Sequence, residues 1–190
     1  MGAVEAVSPL QSTECRRILI LGSSGAGKST LADEIGRKLT LPVIHLDKEF
    51  WLPGWVEPEK PVWRVKVAEL VQRDAWVMDG NYSATLDIRL PRADAIIWLD
   101  LSRRVCLSSA IWRTLASFGR TRPDMAPGCP ERIDIPFFTD WIWNYPTRSR
   151  PGTLALIERE RSLGERRTIV LGSRAEVRRF VAGLPSSLSA

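Results

Sequence analysis

Eight consecutive residues, Gly22 to Ser29, match the pattern Gly-x-x-x-x-Gly-Lys-Ser, whose chemistry is phosphate binding. In such a loop the backbone N–H groups surround an anionic phosphate, and the lysine, here Lys28, reaches the outer phosphates of a nucleotide. The Ser29 hydroxyl is suited to Mg²⁺, and the following helix directs its positive end at the phosphate. The predicted nucleotide-binding residues here are Gly22, Ser23, Ser24, Gly25, Ala26, Gly27, Lys28, Ser29 and Thr30.

Aspartates follow three of the apolar runs in the sequence, at Asp47, Asp79 and Asp100. Ligands gather at the carboxyl ends of parallel strands, and a phosphate-loop enzyme needs a carboxylate for Mg²⁺. Asp79 is favoured because the flexible Gly80 follows it, but Asp100 fits the same pattern, and a helix N-cap is the alternative for either. The residues alone leave the two aspartates tied, with the N-cap alternative stronger for Asp100.

Asp47 indicates a different chemistry, since a carboxylate at the end of the second strand can accept a proton from a hydroxyl group. The alternatives for Asp47 are a hydrogen bond to substrate, a metal-site role or a turn. His45, two residues earlier, is expected to pack in the structure rather than react.

Five short apolar runs predict the strands that position these residues, at 17–21, 42–46, 75–78, 95–99 and 167–171. Continuous apolar strands are buried on both faces, as in a parallel sheet. Segments with helical spacing separate them: Trp63, Val67, Leu70 and Val71 mark one helix face, Val105, Trp112 and Leu115 a second, and Val177, Phe180, Val181 and Leu184 a third. Ser173 and Glu176 form a capping box ahead of the last helix. This alternation predicts an α/β fold with a five-stranded parallel sheet flanked by helices.

Two regions interrupt the alternation of strands and helices. Residues 48–62 are rich in proline and tryptophan, and residues 117–151 contain arginines, glycines, prolines and an aromatic cluster. Such excursions from a compact sheet are typical of lids and binding segments.

Length and composition limit the class of protein. The 190 residues predict one domain, preceded by a flexible arm at 1–15, with no membrane-spanning run and no secretory signal. Three scattered cysteines with a single histidine argue against a disulfide framework or a zinc site and favour the cytoplasm. The net charge is +5, and every basic residue after position 95 is an arginine, which suits phosphoryl transfer or reflects codon bias. Because acids are interleaved with these arginines, nucleic acid is an unlikely partner.

A series of ordered motifs gives the chain a family resemblance over residues 16–184. It is similar to the adenylate-kinase-like branch of P-loop kinases, and most similar to small bacterial proteins labelled DNA topology modulation proteins or adenylate-kinase-related kinases. The motifs are GSSGAGKST (22–30), PVIHLD (42–47), PGW (53–55), WVMDGNY (76–82), RLPRAD (89–94), IIWLD (96–100), GRTRPDMAPGCPER (119–132) and YPTRSRP (145–151). The resemblance implies a three-layer P-loop NTPase fold in one kinase domain, 16–184, with a C-terminal tail at 185–190.

The resemblance also implies roles. Asp79 would support Mg²⁺ together with Ser29, and Asp100 would be mainly structural. Residues 48–74 correspond to the acceptor-binding segment, and 117–147 to an arginine-rich lid that closes over the phosphates. Three lid-side arginines and one loop complete the donor site: Arg113 would pack on the donor base, Arg148 and Arg150 would neutralise the transferring group, and Gly172-Ser173 would touch adenine.

Two departures from adenylate kinases weaken an assignment as an AMP kinase. Gly-Phe-Pro-Arg is replaced by Gly80-Asn81-Tyr82-Ser83, so the arginine for a monophosphate is missing unless Arg89 replaces it. The loop reads GKST rather than GKGT, which together with Asp47 is closer to kinases of sugars, shikimate or other small alcohols.

The prediction that follows is an ATP- and Mg²⁺-dependent phosphotransferase acting on a nucleoside, nucleotide or other small alcohol, as a monomer or homodimer. The alternatives are a nucleoside monophosphate kinase, a nucleotide-dependent DNA-binding regulator and a slow regulatory ATPase. The predicted catalytic residues are Lys28, Asp47, Asp79, Arg148 and Arg150. The predicted acceptor contacts are Asp47, Trp51, Trp55, Asn81, Arg89, Arg120 and Arg122, with packing as the alternative for the tryptophans.

Overall fold

The computed structural model describes residues 15–164 and 166–185. The predicted arm and tail lie outside these ranges except for Cys15, which is buried, and Pro185. Five parallel strands form one sheet in the order β2-β3-β1-β4-β5, which confirms the predicted fold class. The strands are β1 Arg17–Gly22, β2 Val43–His45, β3 Trp76–Asp79, β4 Ala95–Leu99 and β5 Arg167–Leu171.

Helices cover both faces of the sheet. They are α1 Lys28–Leu39, α2 Leu46–Phe50, α3 Lys60–Leu70, α4 Leu86–Arg89, α5 Arg103–Ala116, α6 Tyr145–Arg148, α7 Arg150–Leu163 and α8 Arg174–Ala182. Short 3₁₀ turns at Ser83–Thr85 and Leu90–Arg92 flank α4, and a π-helical segment spans Phe137–Trp143. None of the helices in the described part of the chain is both long and apolar enough to cross a membrane.

The core divides at the sheet because alternate strand residues point to opposite faces. Ile18 and Ile20 of β1 pack with α1, α5 and α8 on one side. Leu19 and Leu21 pack with α3 and α7 on the other, where Trp63 and its helix face are buried as predicted. The result is the predicted three-layer arrangement.

The buried face of helix α5 differs from the predicted one. Trp112 is 74% exposed and Leu115 is 58% exposed, whereas the buried positions are Cys106, Ala110 and Thr114. The inner face lies so close to the phosphate loop that a Cβ on Gly25, whose φ is +78°, would collide with the backbone carbonyl of Cys106. Large apolar side chains therefore do not fit on this face, and the helix turns them outward.

The amino ends of β1 and β4 are joined by a charged contact. The Asp94 carboxylate accepts hydrogen bonds from the backbone N–H groups of Arg16 and Arg17, at 3.0 and 2.8 Å, and from the Arg17 guanidinium at 2.7 Å. Burial alone would raise the pKa of Asp94, but these hydrogen bonds outweigh it and lower the pKa. The contact aligns the strand that leads into the phosphate loop.

The predicted acceptor segment and the predicted lid contact each other directly. The Gly54 N–H donates to the Gly128 carbonyl at 2.9 Å, and Trp55 Nε1 donates to the Pro130 carbonyl at 3.0 Å. Trp51 and Trp55 pack against a small buried cluster of Met125, Ala126 and Cys129. We call residues 51–56 together with 125–130 the segment–lid contact.

Candidate functional site

The phosphate loop joins β1 to α1 in the predicted conformation. Gly27, in the left-handed region with φ of 93°, precedes the first helical residue, Lys28. Lys28 Nζ donates to the carbonyl of Ser23 at 3.1 Å, which places the ammonium across the mouth of the loop. Burial lowers the pKa of Lys28, and the nearby carboxylates of Asp47 and Asp79 partly offset this effect.

Asp79 lies beside the loop, at the carboxyl end of β3. Its Oδ2 accepts a hydrogen bond from Ser29 Oγ at 2.8 Å, and its Oδ1 lies 2.7 Å from His45 Nδ1. The other ring nitrogen of His45 lies 3.2 Å from Asp33 Oδ1. Burial alone would lower the pKa of His45, but Asp79 and Asp33 together raise it. His45 thus orients the Asp79 carboxylate from the neighbouring strand, a positioning role that the sequence did not indicate.

The Ser29–Asp79 pair fits Mg²⁺. Hydroxyl and carboxylate oxygens are the hard ligands this ion prefers, and Mg²⁺ commonly uses one or two carboxylates plus substrate phosphates and water. No group of three or more His, Cys, Asp or Glu able to bind a metal ion exists within 15–164 and 166–185. One hydroxyl and one carboxylate leave the remaining ligands of such an ion to nucleotide phosphates and water.

The turn after β3 connects the phosphate loop to Asp47. Asn81 Oδ1 accepts a hydrogen bond from the Gly22 N–H at 3.0 Å, and the Tyr82 hydroxyl donates to Asp47 Oδ1 at 2.7 Å. Tyr82 has a φ of 29°, a region that side chains rarely adopt, and such strain is concentrated at functional sites. Burial, together with the charge of Asp47, raises the pKa of Tyr82, so its hydroxyl stays a neutral donor.

Arg89 lies under this turn, and the structure does not place it to contact an acceptor. Its side chain is fully buried, with Nη1 donating to the Gly80 carbonyl at 2.8 Å and Nη2 to the carbonyls of Asn81 and Tyr82. Burial lowers the pKa of Arg89 to about 9. The buried carbonyls of the turn need donors, and Arg89 supplies them, which makes it a positioning residue.

The predicted lid arginine Arg122 and the neighbouring Arg113 of α5 both contact the buried carboxylate of Glu131. Arg113 Nε donates to Glu131 Oε1 at 3.1 Å, and Arg122 Nε lies 3.4 Å from the same oxygen. Arg122 also binds both oxygens of Asp124, at 2.9 and 2.7 Å. Arg120 is exposed at the base of the lid. Burial and the charge of Arg122 lower the pKa of Arg113.

Arg148 and Arg150 each contact another side chain of the protein. Arg150 forms a two-point ion pair with Asp100, at 2.8 and 2.7 Å, and Arg148 lies over the ring of Trp141. Asp100 is thus paired with Arg150, and the N-cap of α5 is Ser102 rather than Asp100. A role for either arginine at the transferring phosphoryl group stays a prediction, and it requires these contacts to open.

The loop before α8 reaches the phosphate loop through a residue that the sequence did not single out. Ser173 caps α8 by accepting from the Glu176 N–H, as the predicted capping box requires, but the Glu176 carboxylate accepts from the Gly172 N–H rather than from that of Ser173. The next residue, Arg174, donates to the Gly25 carbonyl at 3.3 Å and to Ser109 at 2.8 Å. Gly172 and Ser173 thus directly precede α8, whose first residue, Arg174, contacts the phosphate loop at Gly25.

Two solved structures have a similar overall fold. A shikimate kinase from Acinetobacter baumannii in complex with shikimate is 15% identical, with a TM-score of 0.58 over 90% of this chain and 93% of that chain. A gluconokinase from Sinorhizobium meliloti 1021 is 17% identical, with a TM-score of 0.51 over 90% and 91%. The chain has the fold of a P-loop kinase. At these identities the likeness shows the fold alone.

Sequence comparison adds no family assignment, since no family model matches the chain and no curated protein matches it. The two structural neighbours agree broadly with the resemblance to P-loop kinases. The closer resemblance to the small bacterial topology modulation proteins stays a prediction.

The structure brings Lys28, Ser29, Asp47, Asp79 and Asn81 together at one edge of the sheet. Sequence reasoning missed Tyr82, Arg174 and the role of His45. The pairing of His45 with Asp79 in the sheet register was implicit in two adjacent strands that both end in polar residues. The contact of Tyr82 with Asp47 had no such signal, because it depends on the left-handed backbone at Tyr82.

Proposed function

We propose that this protein is an ATP- and Mg²⁺-dependent kinase that transfers a phosphoryl group to the hydroxyl of a small molecule. The observation that carries the proposal is the Ser29–Asp79 hydrogen bond of 2.8 Å directly beside the phosphate loop. A hydroxyl and a carboxylate at this position, with Lys28 opposite, constitute the donor half of a phosphoryl-transfer site.

The side chains divide the reaction between them. The loop amides and Lys28 bind the donor phosphates, Ser29 and Asp79 bind the metal, and Asp47 faces the acceptor. Mg²⁺, when bound, neutralises charge on the phosphates. The acceptor oxygen forms a bond to the γ-phosphorus as the bond from that phosphorus to the β–γ bridging oxygen breaks, and the hydroxyl proton passes to Asp47.

A nucleoside monophosphate kinase is less well supported, because Arg89, the residue proposed to bind the monophosphate, donates to three backbone carbonyls instead. No specific contact in the structure favours the DNA-binding regulator.

The test is ATP turnover, with and without a panel of nucleosides, nucleotides and small polyols, for the wild type and Lys28→Ala. We expect acceptor-stimulated ADP formation that falls by at least a hundredfold in the variant, since one charge-assisted contact to the transferring phosphates is lost. Lys60→Ala, which removes an exposed lysine at the start of α3, serves as the matched control. Turnover that ignores every acceptor would identify an ATPase, and equal rates for both lysine variants would refute the proposal.

A further inference from the structure

The charges around Asp47 restrict which acceptor the site can take. We propose that the acceptor is an uncharged hydroxyl compound, a neutral polyol or nucleoside, rather than a compound that carries a phosphate or carboxylate. This inference rests on the proposed kinase function and adds the charge class of the substrate.

The first argument is that the Arg89 guanidinium binds backbone carbonyls and does not face the acceptor side. In a site for an anionic acceptor a guanidinium is expected to face the pocket, where it binds phosphate or carboxylate in a two-point geometry. Arg89 instead directs Nη1 and Nη2 to the carbonyls of Gly80, Asn81 and Tyr82, and its side chain has no exposed surface. Releasing it would leave these carbonyls without their donor, which makes a switch to substrate costly.

The other cations of this region are either paired or on the outer surface. Arg64 binds Asp87 and the carbonyl of Ala84, Lys66 binds Glu49, and Arg92 donates to the carbonyl of Val71. The remaining basic residues between positions 48 and 92 are Lys48, Lys60 and Arg73, and all three are solvent-exposed. The described acceptor segment therefore offers no buried, unpaired cation.

The second argument is the charge of Asp47 itself. Its described side-chain partner is the neutral hydroxyl of Tyr82, at 2.7 Å, rather than an arginine. Lys28 is the cation that acts on Asp47 from the phosphate loop, and donor phosphates compete for it. Once those phosphates are bound, an anionic acceptor would meet net negative charge on two sides. Repulsion of this kind selects against the wrong ligand.

The third argument is the apolar character of the surrounding side chains. Phe50 lies 4.8 Å from Tyr82 and 5.1 Å from Trp63, measured between ring centroids, so the aromatic rings pack tightly next to Asp47. These rings place apolar surface rather than a further cation beside Asp47, which suits an uncharged compound better than an anion.

Matched acceptor pairs test the inference: adenosine against AMP, and glucose against gluconate, each with saturating ATP and Mg²⁺. We expect the neutral member of the active pair to have a kcat/KM at least tenfold higher, and the identity of that pair distinguishes a nucleoside from a polyol. A better or equal rate for the anionic member would overturn the inference while leaving the kinase proposal intact. If that rate then fell in Arg120→Ala, the exposed lid arginine would be the anion site. No stimulation by any acceptor would contradict the kinase proposal itself.

Binding measurements separate the charge of Asp47 from its part in the chemistry. With a non-hydrolysable ATP analogue bound, we expect Asp47→Asn to reduce the affinity ratio of neutral to anionic ligand by at least fivefold. Glu57→Gln, an equal charge change at an exposed position of the same segment, should leave the ratio unchanged. An unchanged ratio in Asp47→Asn would show that Asp47 does not exclude anions, which would also overturn the inference.

Discussion

At the scale of single residues, the site depends on side chains that orient two carboxylates. Asp79 contacts Ser29 and His45 with different oxygens, and Asp47 receives the Tyr82 hydroxyl. Both oxygens of Asp79 are therefore fixed by hydrogen bonds. One oxygen of Asp47 is fixed, which limits where its other oxygen can point. Pre-oriented groups of this kind lower the reorganisation needed during the reaction.

Tyr82→Phe tests this orientation. We expect kcat to fall about tenfold, the size of one hydrogen bond to a charged group, while KM for ATP stays unchanged because the phosphate loop is untouched. Steady-state kinetics with the best acceptor measures both values. Tyr145→Phe removes the other tyrosine hydroxyl, which accepts from Trp98 Nε1 at 3.4 Å, and serves as the control. A rise in KM for ATP, or equal losses in the two variants, would argue for a general packing role.

At the scale of elements, contacts distant in sequence align the parts of the site. The segment–lid contact joins residues 51–56 to 125–130 through two hydrogen bonds and the packing of Trp51 and Trp55. Both partners are excursions from the sheet, and these contacts join them to each other.

Trp55→Phe keeps an aromatic ring but removes the hydrogen bond to Pro130. We expect amide hydrogen exchange in residues 125–131 to accelerate about fivefold, because one hydrogen bond contributes about 1 kcal/mol to the closed state. Trp112→Phe, at a residue that is 74% exposed on α5, is the control. Unchanged exchange in the lid would mean that packing alone maintains the contact.

Asp94 supplies a pH-dependent contact between β1 and β4. Its pKa is lowered in the folded protein from an ordinary value of 3.8, so its contribution is present above that pH and is lost as the pH falls through the folded-state pKa. We expect Asp94→Asn to lower the free energy of unfolding at pH 7 by about 1–2 kcal/mol, and the difference from wild type to shrink as the pH falls below the ordinary value of 3.8.

Urea unfolding at pH 7 and pH 3 measures the effect of Asp94→Asn. Asp87→Asn breaks a similar aspartate–arginine pair on the exposed surface and should change little, because water screens such pairs. Equal destabilisation of Asp94→Asn at both pH values would show that the carboxylate charge is unimportant.

At the scale of the whole molecule, the parallel sheet brings the ends of β1, β2 and β3 to one edge, which concentrates the site there. The net charge of +5 does not by itself create a nucleic-acid surface, since many of the arginines described above are paired with acids. Nucleotide rather than DNA should therefore stabilise the fold.

Thermal unfolding distinguishes these two ligands. At a hundred times its Kd, a non-hydrolysable ATP analogue with Mg²⁺ stabilises the native state by about 2.7 kcal/mol, which raises the Tm by about 5–10 °C. Lys28→Ala should lose most of this shift. Duplex DNA at physiological salt should produce none, and a DNA-induced shift that weakened steeply with salt would support the regulator instead.

The sequence by itself determined the strands and the donor loop of this protein. Apolar runs bounded by polar residues predicted all five strands, and the Gly22–Ser29 pattern predicted the loop, because both signals are local in the chain. The tie between Asp79 and Asp100 was resolved by resemblance alone. In the structure Ser29 contacts Asp79 and Arg150 contacts Asp100, and the metal role of Asp79 stays a prediction.

Tertiary structure alone decided which side chains meet. The Arg89 side chain is buried because three carbonyls of a strained turn need hydrogen-bond donors. The large residues of α5 are exposed because the phosphate loop lies against the inner face of this helix. The Tyr82 hydroxyl contacts Asp47 because the backbone at Tyr82 is left-handed. Each outcome depends on groups that compete for one partner or one space, and the contacts of α5 and Tyr82 join residues far apart in sequence. Local patterns carry no information about such competition, and this is why the donor side was predictable and the acceptor side was not.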